Sequence, residues 1–333
     1  MGPALTPRPV AATVDEMLAG ATDRTTMHAA DSKSGARFER VTIDGERYVV
    51  KYLSRDDDWI MRATGDLAYR PLLVWQTGLV DLAPDCIDHA YAGAARDGTR
   101  AAILLHDVGE WLIPEGDAPL PLDVHVGFIE HLAEFHAATL GFTDPVGLCP
   151  LANRFSEFSP AVVECEAELG FPEAVPRVMR DGWARFPERA PSGARVVVPL
   201  LEDPSPLVSA LETLPTSFLQ GDWKMGNLGR HADGRTILVD WANPGAGPGV
   251  IELTWYLALN QARLPAGHTK GDAIETYRRT LERLGVDTTP WWDRAIGLAF
   301  LGALVQFGWE KALGDDGELA WWEVRAVAGA DQL

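Results

Sequence analysis

Little in this chain points to a disulfide framework, a metal cage or a membrane. Three cysteines, Cys86, Cys149 and Cys165, are scattered over 333 residues without a CxxC pair. A disulfide scaffold is therefore not expected, and reduced thiols in a cytoplasmic protein are. The eight histidines show no ligand spacing. His131 and His136 share an expected helix but lie five apart, on different faces, so no zinc site is read. The first residues lack an apolar h-region, so no signal peptide is expected. The most apolar run, 295–305, stops at Gln306, short of the ~20 residues a membrane span needs, and reads as a buried helix. Basic residues are scarce too: 29 Lys and Arg stand against 48 Asp and Glu, a formal net charge of -19. Such a surface repels phosphate backbones and anionic lipid, which excludes nucleic acid and membrane as partners. It attracts cations, Mg²⁺ and amine-bearing substrates among them.

What is present is enough for a substantial core. At 47% hydrophobic residues the length allows two lobes. Residues 1–27 read as a loose arm with a short helix near 13–20. "ARFERVTIDGERYVVKYL" then alternates apolar and polar residues around Asp44-Gly45, a strong two-residue hairpin signal, and places Lys51 on the second strand. A small-residue loop containing Ser32, Ser34 and Gly35 precedes it. Residues 57–79 read as helical with a break near Pro71, and 100–109 as a buried strand entering a connector. From residue 122 onward helices dominate, expected over 157–189, 203–214, 250–262, 270–284, 290–313 and 317–328.

The stretch "FLQGDWKMGNLG" (218–229) carries the chemistry. Asp222 stands five positions before Asn227, and Asp240 ends the apolar run "ILVD". Phosphoryl transfer from a nucleotide needs a carboxylate to orient an acceptor hydroxyl, oxygen ligands for Mg²⁺, a cation on the α/β-phosphates and a small-residue loop over them. These parts come in the kinase chain order: the Ser32, Ser34 and Gly35 loop, the cation Lys51, the carboxylate Asp222, and the oxygen ligands Asn227 and Asp240, with the D-x-x-x-x-N spacing of a kinase catalytic loop. D-F-G and A-P-E are missing, which speaks against a protein kinase.

"LQGDWKMGNLG…ILVDWANPGAGPGVIEL" resembles the aminoglycoside phosphotransferase and choline kinase-like family, over roughly residues 28–262. The resemblance implies an α+β, protein-kinase-like bilobal fold. A small antiparallel-sheet N-terminal lobe would span 1–105, a hinge 106–110 and a larger helical lobe 111–333. It implies an ATP- or GTP-dependent phosphotransferase acting on a small-molecule hydroxyl, as a monomer or homodimer. Asp222 would be the catalytic base, with Lys224 near the transferred phosphate, and Asn227 and Asp240 would bind Mg²⁺. Lys51 would contact the α/β-phosphates, Ser34 and Gly35 would belong to the covering loop, and His106 to Val108 would face the base.

This chain departs from the family in places. Gln220 replaces the family's histidine, and Glu252 stands where an aspartate is usual. The acid expected to pair with Lys51 is Asp66 by spacing, with Asp58 as second choice. Pro71 sits near the place where relatives carry a glutamate. His136 reads as a core residue. The tryptophans 291, 292, 309, 321 and 322 read as helix packing, or as walls of an acceptor pocket with Asp293, Glu310 and Glu318 nearby. The competing expectation is a catalytically silent, kinase-like binding protein.

Overall fold

The computed structural model describes residues 5–27, 34–171 and 173–333; Ser32 lies outside them. An antiparallel five-stranded sheet is ordered Thr22–Met27, Arg37–Ile43, Glu46–Leu53, Arg100–His106, Tyr91–Asp97. Its central hairpin turns at Asp44 and Gly45, with φ of +52° and +84°. Both are left-handed, as a type I′ turn requires. Alternation then sorts the strand Glu46–Leu53. Val50 packs with Val41, Ala102 and Leu104 under the short helix Val14–Met17, while Val49 and Lys51 face the opposite side, toward the rest of the chain.

The first strand, Thr22–Met27, was not expected. Its residues TDRTTM are almost all exposed, so no apolar alternation announces it. It forms by adding backbone hydrogen bonds to an existing edge. The helix expected over 57–79 is two helices, Trp59–Ala63 and Arg70–Gln76. The interruption lies before Pro71 rather than at it, because proline at the start of a helix removes only a hydrogen bond that would be missing anyway. Asp66 accepts from the backbone N–H groups of Ala68 and Arg70 and fixes the turn between them.

The remainder is mainly helical. Trp292–Lys311, which contains the apolar run, is buried almost all round and packs against Asp316–Ala330, Ala174–Arg189 and Val250–Leu259. The helix Pro191–Glu202 was missed, its sequence being bounded and interrupted by proline. No helix of the described residues is long and apolar enough to cross a membrane. Two small sheets sit among the helices. Ser217–Leu219 pairs with Gly245–Gly247, and Thr236–Leu238 lies between Ile87–Asp88 and Leu228–Arg230. They bring the segments 220–227 and 239–244 side by side, beneath the large sheet.

Candidate active site

The loop that begins at Gln220 is held from three directions. Gly221 has φ +99°, and a Cβ there would collide with the backbone carbonyl of Asn243, so only glycine lets the two loops meet this closely. The Glu252 carboxylate, in the first turn of Val250–Leu259, accepts from the N–H groups of Gln220 (3.1 Å) and Gly221 (2.6 Å). It also takes His136 Nε2 at 2.9 Å. His136 is thus a buried core residue that steadies Glu252, while His131 meets Thr236 instead. The Arg154 guanidinium donates to the carbonyls of Gly221 and Asn243.

Gln220 is fully buried and joins the two loops. Its Oε1 accepts from the N–H of Asp222 at 2.8 Å, and its Nε2 donates to the backbone carbonyls of Val239 and Asp240. A planar amide can therefore make the connections that this position needs. Asp240 has φ +58°, which is uncommon outside glycine and collects at functional sites when neighbours enforce it. We expect Gln220→Ala to lower stability by about 1–3 kcal/mol, because it strands buried backbone groups. Urea unfolding checks this, and an unchanged midpoint would show the two loops to be held without Gln220.

Both oxygens of Asp222 are occupied. Oδ1 accepts from the indole Nε1–H of Trp255 at 3.0 Å, and Oδ2 from Asn227 Nδ2 at 2.7 Å and Lys224 Nζ at 2.9 Å. Burial pushes the Asp222 pKa up, with Lys224 pulling against it. Asn227 spends its Nδ2 on Asp222, on the carboxylate and on the backbone carbonyl, so its Oδ1 is the atom it can offer a cation. Lys51 Nζ meets Asp240 Oδ1 at 2.6 Å. Burial opposes the charge on Asp240, but the Lys51 ammonium, together with Lys224 and the backbone N–H of Ala242, holds the carboxyl below its usual range.

These groups line one cleft of about 390 Å³. Ser34, His106 and Val108 also line it, and between the last two Asp107 is tied to Arg40 at 2.9 Å. Among the rings on the wall are Trp59, Phe158, Trp255, Phe307 and Trp309. Glu157, 1% exposed, lies beside them and accepts from Asn243 Nδ2 (2.7 Å) and Gln306 Nε2 (2.9 Å). Burial pushes its pKa up to about 8, against the pull of Arg154 and with the push of Asp222.

The structure corrects several expectations. Lys51 pairs with Asp240, not with Asp66, which is engaged by backbone N–H groups and does not line the cleft. Asp58, the second choice, caps Trp59–Ala63 through Ile60 and Met61. It senses the charge of Lys51 but forms no ion pair with it within 4.0 Å. Gly35 packs against the backbone of Asp57 rather than lining the cleft. Of the C-terminal tryptophans only Trp309 reaches the cleft, and Asp293, Glu310 and Glu318 do not. Glu318 instead binds Lys270 and Trp322. Sequence reasoning missed Trp255, Glu157 and Arg154. Trp255 had a usable signal, since it lies three residues after Glu252 on one helix and shares its face. Glu157, an acid between Phe155 and Phe158 in a segment that reads as buried, had a weaker one.

No family model matches the chain, and no curated protein matches its sequence. Solved structures do match it. Choline kinase LicA from Streptococcus pneumoniae superposes with a TM-score of 0.51 at 13% identity, over 96% of each chain. Its complex with AMP gives 0.51 at 13% identity over 93% of each. Amicoumacin kinase hAmiN, in complex with AMP-PNP, Ca²⁺ and Ami, gives 0.50 at 10% identity over 96% of this chain and 90% of that one. The resemblance read from the sequence thus holds at the level of architecture: the chain has the α+β, protein-kinase-like fold that these small-molecule kinases share.

Proposed function

We propose that this chain is a small-molecule O-phosphotransferase that moves the γ-phosphate of ATP or GTP to an acceptor hydroxyl. The observation that carries the reading is the convergence of two charged groups of residues on one cleft, Lys51 with Asp240 and Asp222 with Lys224 and Asn227. The nucleotide base would sit against the segment from His106 to Val108, with Ser34 near the phosphates. Lys51 would exchange Asp240 for the α/β-phosphates. The donor set suits Mg²⁺, a hard cation usually held by one or two carboxylates plus substrate phosphates. The Asp240 carboxylate and Asn227 Oδ1 would hold it, and when bound it would neutralise charge on the phosphates.

In the transfer the acceptor oxygen bonds to the γ-phosphorus as the bond from phosphorus to the β,γ-bridging oxygen breaks. The nucleoside diphosphate leaves, and the acceptor proton passes to Asp222. Trp255 and Asn227 fix the orientation of that carboxylate, and Lys224 would meet charge on the transferred group. The chemistry is mainly positioning and electrostatics. A catalytically silent protein would be expected to lack one of these groups, and none is missing. The test is nucleotide turnover with Mg²⁺ over a panel of hydroxylated acceptors. Acceptor-dependent diphosphate release supports the proposal. Nucleotide binding without turnover on any acceptor would favour the silent reading.

A further inference from the structure

The cleft changes character on the Trp255 side of Asp222. Trp255 is 4.8 Å from Phe307 and 5.9 Å from Phe158, measured between ring centroids. Phe158 lies 5.5 Å from Phe307, 6.3 Å from Trp309 and 6.0 Å from Trp59. These five rings come from four segments, Phe307 and Trp309 sharing the helix Trp292–Lys311, and all line the cleft. Two carboxylates adjoin them: Asp222, which accepts from Trp255 Nε1 at 3.0 Å and is paired with Lys224, and Glu157, between the neutral amides of Asn243 and Gln306.

The protein's strong acidity does not extend to this wall. Among the described residues the acids lining the cleft are Asp107, Glu157, Asp222 and Asp240. Asp107 is bound to Arg40, Asp222 to Lys224 and Asp240 to Lys51. A polycationic acceptor would find no unpaired acid except Glu157, and dehydrating several ammonium groups against rings is unfavourable without anionic partners.

We propose that this ring-lined wall, with Glu157 at its base, is the acceptor subsite and takes an uncharged alcohol with a flat apolar body, aromatic or fused-ring, whose hydroxyl reaches Asp222. This rests on the phosphotransferase reading. Flat rings match the wall by burying apolar surface and by aromatic contact. A single quaternary ammonium could instead use cation–π attraction. Here the rings are engaged with each other, Trp255 and Phe307 meeting at 71°, and the carboxylate that backs them, Asp222 on Trp255 Nε1, is already paired with Lys224. The groups acting on Glu157 are Arg154 one turn earlier, Arg70, Asp222, Asn243 and Gln306, and the balance keeps it protonated up to about pH 8. Above that pH it gains a charge that a neutral apolar ligand would cut off from water. Affinity for such a ligand should therefore be level below pH 8 and fall above it.

The experiment titrates the full chain, with and without Mg²⁺ and a non-hydrolysable ATP analogue, using 2-(2-naphthyl)ethanol, choline and kanamycin as probes. The naphthyl alcohol should bind at least about tenfold more tightly than either cation at pH 7, and its affinity should drop between pH 8 and 9. Glu157→Gln should abolish that drop, whereas a merely structural Glu157 would leave the profile in place. Choline or kanamycin binding more tightly, or no measurable binding of the naphthyl alcohol, overturns the inference. Phosphorylation of choline with weak naphthyl alcohol binding would sink it while sustaining the phosphotransferase reading. The reverse failure, tight pH-dependent alcohol binding in a protein that binds no nucleotide, would sustain the subsite and remove the phosphotransferase reading.

Discussion

Asp222→Asn should lower kcat by roughly 10²–10⁴-fold, the range for a positioned general base, while nucleotide affinity stays near that of the unaltered protein. In the proposal Asp222 faces the acceptor, and its benefit grows as the acceptor proton becomes acidic in the transition state. Phosphoryl transfer is loose and its proton moves late, so part of the loss should be lost orientation rather than lost basicity. The hydrogen bonds refine the expectation. Trp255 Nε1 can still donate to an amide oxygen at Oδ1. An NH₂ in place of Oδ2 would then face two donors, Asn227 Nδ2 and Lys224 Nζ. Nucleotide affinity and the unfolding midpoint must therefore be measured alongside kcat, to separate a lost base from a displaced loop. The pH profile gives a second readout. A base must be unprotonated to act, and burial raises the Asp222 pKa. The acid limb of kcat/KM should thus rise with pH through a value above the ordinary carboxylate range, and Asp222→Asn should abolish that limb. Turnover close to normal in the variant would place the base elsewhere.

Asp240→Ala should remove the dependence of nucleotide binding on Mg²⁺. The loss should exceed the 10–100-fold that removing an outer partner of a metal ligand typically costs. Without nucleotide the same change leaves the Lys51 ammonium, 6% exposed as a side chain, without its carboxylate. Breaking a fully buried pair in this way costs about 3–5 kcal/mol. Less is expected here, because Asp240 is 31% exposed to the cleft. Asp240→Asn keeps the volume and removes the charge, so it should reproduce the binding defect with a smaller packing change.

The residues whose surroundings are local were legible in the sequence. Asp44-Gly45 announces the hairpin, alternation turns Lys51 inward, and an apolar run ending in Asp240 announces a strand that stops at the cleft. Pairings that depend on which distant loop crosses that cleft were not legible. Spacing along the chain favoured Asp66 for Lys51, whereas Asp240, 189 residues away, reaches it because the segment 239–244 lies under the sheet. Asp66 was drawn into a turn by backbone donors, a local competition that acidic residues often enter. Gln220 reads in the sequence only as a replacement for the family's histidine, and the geometry alone shows it tied to Val239 and Asp240 as well as to Asp222. The strand Thr22–Met27 hides because an exposed edge needs no apolar pattern. Phe158 neighbours Glu157 in the sequence, but Trp59, Trp255 and the pair Phe307 and Trp309 come from segments far from it, and a single sequence gives no sign that they meet.

The most direct test of the phosphotransferase account is calorimetric titration of ATP and GTP into the full chain, with and without saturating Mg²⁺, repeated on Asp240→Ala. The account predicts that Mg²⁺ tightens binding of at least one nucleotide in the unaltered protein and that Asp240→Ala loses this gain. Nucleotide affinity indifferent to Mg²⁺, or a gain that survives in Asp240→Ala, would contradict it.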